Sequence, residues 1–126
     1  MMDLDGFKLV NDRYGHDAGD EVLRVIGARL NNVNRQQDLA TRLGGDEFAV
    51  ILHDCPSVSA AREIAHRFIT AIARPICLSL AREIVSVGAS AGVAHIGDGE
   101  ATAEAILKRA DDALYSAKRA GKNRIA

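Results

Sequence analysis

Two short acidic stretches carry the side chains of divalent-cation chemistry. One is Asp3-Leu4-Asp5, followed at once by Gly6; the other is Asp46-Glu47, preceded by Gly44-Gly45. Adjacent carboxylates repel unless a cation or a proton separates them. Acids at two strand ends suit Mg²⁺, which prefers hard oxygen donors and shares its shell with substrate phosphates. A solvated hairpin tip is the competing reading for Asp46 and Glu47. From the turn alone it is the stronger of the two, and the second acidic cluster shifts the balance toward a metal.

Other groups carry charge or hydrogen-bonding capacity near predicted turns. Lys8 follows a strand-to-helix turn, where free backbone N–H groups attract phosphate; an ordinary surface lysine fits the position equally well. Asn11 carries an amide, which can both donate and accept, and Asp20 a carboxylate, which accepts. For Asp20 a helix N-cap is the structural alternative, and for His16, between them, packing in a turn is preferred to a nucleotide contact. Arg35 and Asp38 form an Arg-x-x-Asp pair, which alone is a loop ion pair of little consequence. Lys118, Arg119, Lys122 and Arg124 crowd the end of the last helix, where the helix dipole by itself favours cations.

These residues need a frame, and hydrophobic periodicity supplies one. Met1-Met2 is the tail of an apolar strand that runs into the first acids. Gly6 to Tyr14 reads as a short helix, and a longer one runs from Asp17–Asp20 to about Val33, with Val22, Ile26, Leu30 and Val33 inward. Asp38 to Leu43 and Phe48 to Leu52 read as strands joined by a tight Gly-Gly turn. After Pro56 a helix extends to about Ala73, with Ile64, Phe68 and Ile72 inward, and Pro75 stops it. Ile76 to Leu80 and Ile84 to His95 read as strands; the small residues Gly88, Ala91 and Gly92 admit a close neighbour, although a bulge is the simpler explanation. Gly97 to Gly99 forms a loop. A last helix from about Thr102 turns Leu107, Ala110, Leu114 and Ala117 inward, with Gly121 as its C-cap.

The 126 residues are enough for one domain with a real core. Hydrophobic residues make up 48% and aromatic ones 4%, so that core is aliphatic. Sixteen basic and 17 acidic residues leave a net charge of -1, which gives no global attraction to nucleic acid or membrane. No run spans a bilayer, and no signal peptide pattern opens the chain. Cys55 and Cys77 lack metal-ligand spacing and are expected as buried or half-buried thiols of a reducing compartment, the cytoplasm. Strand, helices, hairpin, helix, hairpin, helix is an α+β order with a mostly antiparallel central sheet flanked by helices.

Taken together, Asp3-Leu4-Asp5-Gly6-Phe7-Lys8, Asn11-Asp12, Tyr14-Gly15-His16, Gly19-Asp20, Gly44-Gly45-Asp46-Glu47-Phe48, Ala110-Asp111, Ala113-Leu114-Tyr115 and Ala117-Lys118 resemble the GGDEF family of diguanylate cyclases. The similarity keeps its order through nearly the whole chain. It implies a fold like that of nucleotidyl cyclases and polymerase palms, with a ferredoxin-like core, over residues 1–126. Members usually carry a further helix and a longer first strand before the first acids, so by resemblance the domain is N-terminally truncated.

The resemblance also implies a reaction, in which two GTP molecules are joined into cyclic di-GMP with release of pyrophosphate by two domains facing each other. It assigns Mg²⁺, with Mn²⁺ as the alternative, to Asp3, the Leu4 carbonyl, Asp46 and Glu47, and makes Asp46 the proposed base. Substrate contacts fall to Phe7, Lys8, Asn11, His16, Asp20, Lys118 and Lys122. Arg35 and Asp38 become an inhibitory site for the product, helped by Arg62 or Arg67. A homodimer directed by a regulatory module outside this chain is implied as well. The alternative is a silent module that binds GTP or cyclic di-GMP and controls a partner or an attached phosphodiesterase.

Overall fold

A computed structural model describes residues 1–96 and 102–126. The chain forms β1 (Met2–Asp5), α1 (Phe7–Tyr14), α2 (His16–Val33), β2 (Leu39–Gly44), β3 (Glu47–Ile51), α3 (Val58–Ile72), β4 (Ile76–Cys77), β5 (Ile84–Val85), β6 (Gly88–Ala91) and α4 (Ala103–Arg119). Four strands make one sheet in the order β2-β3-β1-β6, and β4 pairs with β5 separately; every pairing between these strands is antiparallel. Near the C-terminus, Ile125 bridges Ala91 in parallel.

Alternation along β1 divides the molecule into two sides. Met2 and Leu4 are buried and join Phe48, Ala89 and Ala91 in one core with Val22, Ile26 and Leu30 of α2 and Phe68 and Ile72 of α3. Asp3 and Asp5, on the other face, lie opposite Ser90 and Gly88 of β6. Helix α4 covers that second face through Ala110, Leu114 and Ala117. It comes close because Gly92 leaves room: a Cβ there would lie 2.1 Å from the Ala110 carbonyl oxygen and 2.2 Å from the Leu114 nitrogen. Close neighbours, not a bulge, account for these glycines: the α4 backbone at Gly92 and the Asn123 side chain at Gly88.

Several sequence expectations change in detail. Helix α2 starts at His16 behind Gly15, so Asp20 lies one turn inside it and is not an N-cap. The expected strand from Ile84 to His95 breaks into β5 and β6, and the one from Ile76 to Leu80 shortens to two residues. Leu107 is exposed, because α4 projects past the sheet before its buried face begins at Ala110. The C-cap of α4 is Ala120; Gly121 follows it, and the amides of Gly121 and Lys122 bond back to Lys118 and Ala117 in a Schellman pattern. Cys55 is half-buried as expected, whereas Cys77 is exposed on the short β4–β5 hairpin; both are free thiols. The loop expected over Gly97–Gly99 lies outside the described residues. Among the described residues, no helix is long and apolar enough to cross a membrane.

Candidate active site

The centre of the site is set by strand register. Asp3 pairs with Glu47 across β1 and β3, and the Leu4 amide donates to the Asp46 carbonyl at 3.1 Å. Acids 43 residues apart in sequence thereby share one end of the sheet. The hairpin turn itself is Gly45-Asp46, one step later than the Gly-Gly pair, because Gly44 still pairs with Glu47. Gly45 takes φ 51°, a left-handed conformation suited to glycine, and the Arg42 Nε–H holds its carbonyl at 2.9 Å. Asp46 therefore projects from the turn and Glu47 opens β3.

Asp3 is the most perturbed of these acids. Its side chain is largely shielded, and burial pushes its pKa above the usual aspartate range. The hydrogen bond from Lys118 opposes that rise, while the charges of Asp46 and Asp5 reinforce it. Lys118 Nζ lies 2.7 Å from Asp3 Oδ2. A cationic group thus already sits where two acids converge.

The donors present are hard oxygens, the type that divalent cations such as Mg²⁺ take. No group of three or more His, Cys, Asp or Glu side chains is gathered among the described residues. Mg²⁺ is commonly held by one or two carboxylates with water and phosphate completing the shell. Asp3 and Asp46, close enough to raise a pKa between them, supply that minimum, with the Leu4 carbonyl and Glu47 adjacent in the chain.

The remaining expected contacts occupy the elements that follow β1. The Phe7 side chain belongs to the core, so only its main chain at the start of α1 is open to a ligand. Lys8 is exposed in that first turn. Asn11 rests on α2 at Gly19, where a Cβ would fall 1.8 Å from its Oδ1, and this contact sets Asn11 beside Asp20. His16 stands exposed at the first position of α2, and among the described residues no hydrogen bond joins it to the acidic end. Lys122 is exposed beyond α4 with φ 61°. Two grooves, of about 570 and 290 Å³, lie beside Gly88 and beside Glu21, and neither is lined by Asp46 or Glu47.

Arg35 and Asp38 form a built structure in place of a loose loop pair. The Arg35 Nε and Nη2 donate to Asp38 Oδ2 and Oδ1 at 2.5 and 2.7 Å, and Nη2 also reaches the His53 carbonyl. The His53 amide donates to Asp38 Oδ1 at 3.0 Å. Hydrogen bonding from Arg35, and secondarily from His53, holds the Asp38 pKa below the usual carboxylate range against the effect of burial. Arg62 is committed to the Ile125 carbonyl at 3.0 Å, whereas Arg67 is exposed and has no ion-pair partner among the described residues. Ser90 and Asn123, both bonded to Asp5, were not among the expected site residues; the signal was the i, i+2 spacing that turns Asp5 to the same face as Asp3.

A four-stranded antiparallel sheet with acids brought together at the end of its central strand defines a nucleotidyl-cyclase type of domain, and this chain belongs to the GGDEF family, whose description is "Diguanylate cyclase, GGDEF domain" and whose match spans residues 1–124. It is 44% identical over 127 residues to the response regulator PleD of Caulobacter vibrioides, covering 99% of this chain and 28% of PleD. The crystal structure of the GGDEF domain of PA1120 (YfiN or TpbB) from Pseudomonas aeruginosa superimposes with a TM-score of 0.91 at 42% identity, covering 99% of this chain and 78% of that one. The GGDEF domain of DgcB from Caulobacter crescentus, solved in complex with c-di-GMP, gives 0.89 at 31% identity, with coverage of 99% and 73%.

Proposed function

We propose that residues 1–126 act as one diguanylate cyclase domain that binds a single GTP and, facing a second copy, makes cyclic di-GMP and pyrophosphate. The observation that carries this reading is the register that sets Asp3 beside Asp46 and Glu47, with Lys118 on Asp3. Each 3′-hydroxyl attacks the α-phosphate of the opposite nucleotide, its proton leaves, and pyrophosphate departs. Asp3, the Leu4 carbonyl, Asp46 and Glu47 would hold Mg²⁺ or Mn²⁺. When bound, the metal polarises the phosphates and lowers the pKa of the attacking hydroxyl.

The chain's own groups bind and align. Asn11 and Asp20 read the guanine edge; the α1 N-terminus at Phe7, with Lys8, cradles phosphate. His16 lines the nucleotide side of α2. Lys118 exchanges Asp3 for the triphosphate, and Lys122 adds a second cation. Asp46 accepts the hydroxyl proton. Cyclic di-GMP binds Arg35 and Asp38, assisted by Arg67, the better candidate because Arg62 is already engaged. That contact inhibits by holding domains in unproductive orientations. A regulatory module outside these residues governs the pairing, and the need for GTP sets the work in the cytoplasm.

The same ion pair favours a second reading. Lys118 seated on Asp3 neutralises an acid without a metal ion, which suits a module that binds GTP or cyclic di-GMP without turnover. The two are separated by fusing the domain to a dimerising coiled coil and supplying GTP with Mg²⁺. Formation of cyclic di-GMP, abolished by Asp46→Asn, is the expected result. Stoichiometric GTP binding with no product would establish the sensing module instead.

A further inference from the structure

Asp5 shares a sheet face with Asp3 but does different work. Its Oδ2 accepts two hydrogen bonds, from Ser90 Oγ at 2.7 Å and from the Asn123 backbone N–H at 3.0 Å. Ser90 is fully buried, so the hydroxyl is a fixed donor. Asn123 is caught from the other side as well: a Cβ on Gly88 would fall 1.8 Å from its Oδ1, so its side chain lies directly on the β6 backbone.

The segment held in this way is conformationally unusual. Lys122 and Asn123 take φ values of 61° and 48°, two successive non-glycine residues in the left-handed region. Such a pair persists only where its surroundings hold it. The Lys122 amide is tied to the Ala117 carbonyl, the Lys122 carbonyl accepts from Arg124 Nε, and the Arg124 carbonyl accepts from Ala91 N. Among the described residues, the Asp5 carboxylate is the only side chain that bonds the Asn123 amide.

We propose that Asp5 is a positioning residue that, through Asn123, fixes the left-handed turn after α4 and so aims Lys122, beside Lys118, at the β- and γ-phosphates of the nucleotide. This rests on the triphosphate reading given above. Asp3 and Asp5 would then divide the labour: Asp3 faces the cation, and Asp5 anchors the basic segment that faces the phosphates. Both of the Asp5 bonds fall on one oxygen, so an acceptor is required and a charge is not. An asparagine amide oxygen can accept both.

The test compares Asp5→Ala and Asp5→Asn with the wild-type chain in two measurements. Amide hydrogen exchange without nucleotide reports the turn. Calorimetric affinities for GTP and for GMP report what the turn is for, because GMP lacks the phosphates assigned to Lys122. For Asp5→Ala we expect exchange over residues 121–125 to rise by about tenfold or more with the α2–α3 core unchanged. GTP affinity should fall about tenfold while GMP affinity holds. Asp5→Asn, which keeps the acceptor, should match wild type in exchange and lose no GTP affinity. Should Asp5→Ala fail to fold, Asp5→Ser, whose hydroxyl is too short to span to Asn123, carries the same expectations.

Unchanged exchange at Asn123 in the alanine variant would overturn the proposal. So would equal losses for Asp5→Asn and Asp5→Ala, or equal weakening of GTP and GMP. A wild-type chain that binds neither nucleotide would defeat the functional reading and the aim assigned to Lys122, and exchange alone would then decide whether Asp5 holds the turn.

Discussion

Arg35 and Asp38, three residues apart at the entrance to β2, meet side by side through two hydrogen bonds of 2.5 and 2.7 Å, and the Asp38 side chain has no exposed surface. A depressed aspartate pKa stabilises the folded state above the unfolded value, and that contribution is lost as pH falls through the folded one. The stability gap between wild type and Asp38→Asn should therefore be constant above about pH 5 and shrink below about pH 4. Urea unfolding at a series of pH values measures it. A gap that persists undiminished to about pH 2 would contradict the assignment. In a domain that makes cyclic di-GMP, Arg35→Ala should also weaken product binding.

Asp3, assigned to the metal in the proposed reaction, sits at a cost to the fold, since it is shielded from water with Asp46 and Asp5 nearby. Asp3→Asn removes the buried charge and gives up an ion pair with the half-exposed Lys118, which is worth little. The variant should melt higher by about 3 °C while losing turnover in a dimerised domain. Calorimetry and a pyrophosphate-release assay together decide. A lower melting temperature would mean that Lys118 contributes more than burial takes away.

Gly92 is the contact point between the sheet and α4. A methyl group there meets the backbone of α4, 2.1 Å from the Ala110 oxygen and 2.2 Å from the Leu114 nitrogen, and no side-chain rotation can relieve it. Gly92→Ala should destabilise by about 2 kcal/mol or more, read by chemical denaturation. Because Lys118 is carried on the displaced helix, nucleotide affinity should fall in step. An alanine variant as stable as wild type would show that α4 can shift freely.

Arg29 of α2 closes the end of α3. Its guanidinium donates to the carbonyls of Ala71, Ile72, Arg74 and Pro75, groups that a helix terminus leaves without intrahelical partners. Arg29→Ala should cost about 2 kcal/mol, and Arg29→Lys should recover only part, since an ammonium lacks the planar fork. Thermal unfolding of the two variants distinguishes a cap from a passing surface contact.

Much of the site was legible because its residues lie close in sequence to strong backbone signals. Glycines flank both acid clusters, and apolar runs beside them mark each cluster as lying at a strand end. The pairing of Asp3 with Glu47 was legible only by resemblance, since registry between distant strands is set by the shared core of Met2, Leu4 and Phe48. Three things misled. Asp20 has the chemistry of a cap, but Gly15 turns the chain five residues earlier than that cap required. Leu107 fits the helical period, yet nothing in the sequence says where α4 leaves the sheet. Arg35 and Asp38 read as an exposed pair, because burial of Asp38 depends on His53, 15 residues away.

The placement of β1 between two hydrogen-bonded neighbours has a consequence for control. Asp3 is mounted on an inner strand, between two core residues, and has no loop on which to swing away. Moving Asp3 out of place would mean breaking its pairing with both β3 and β6.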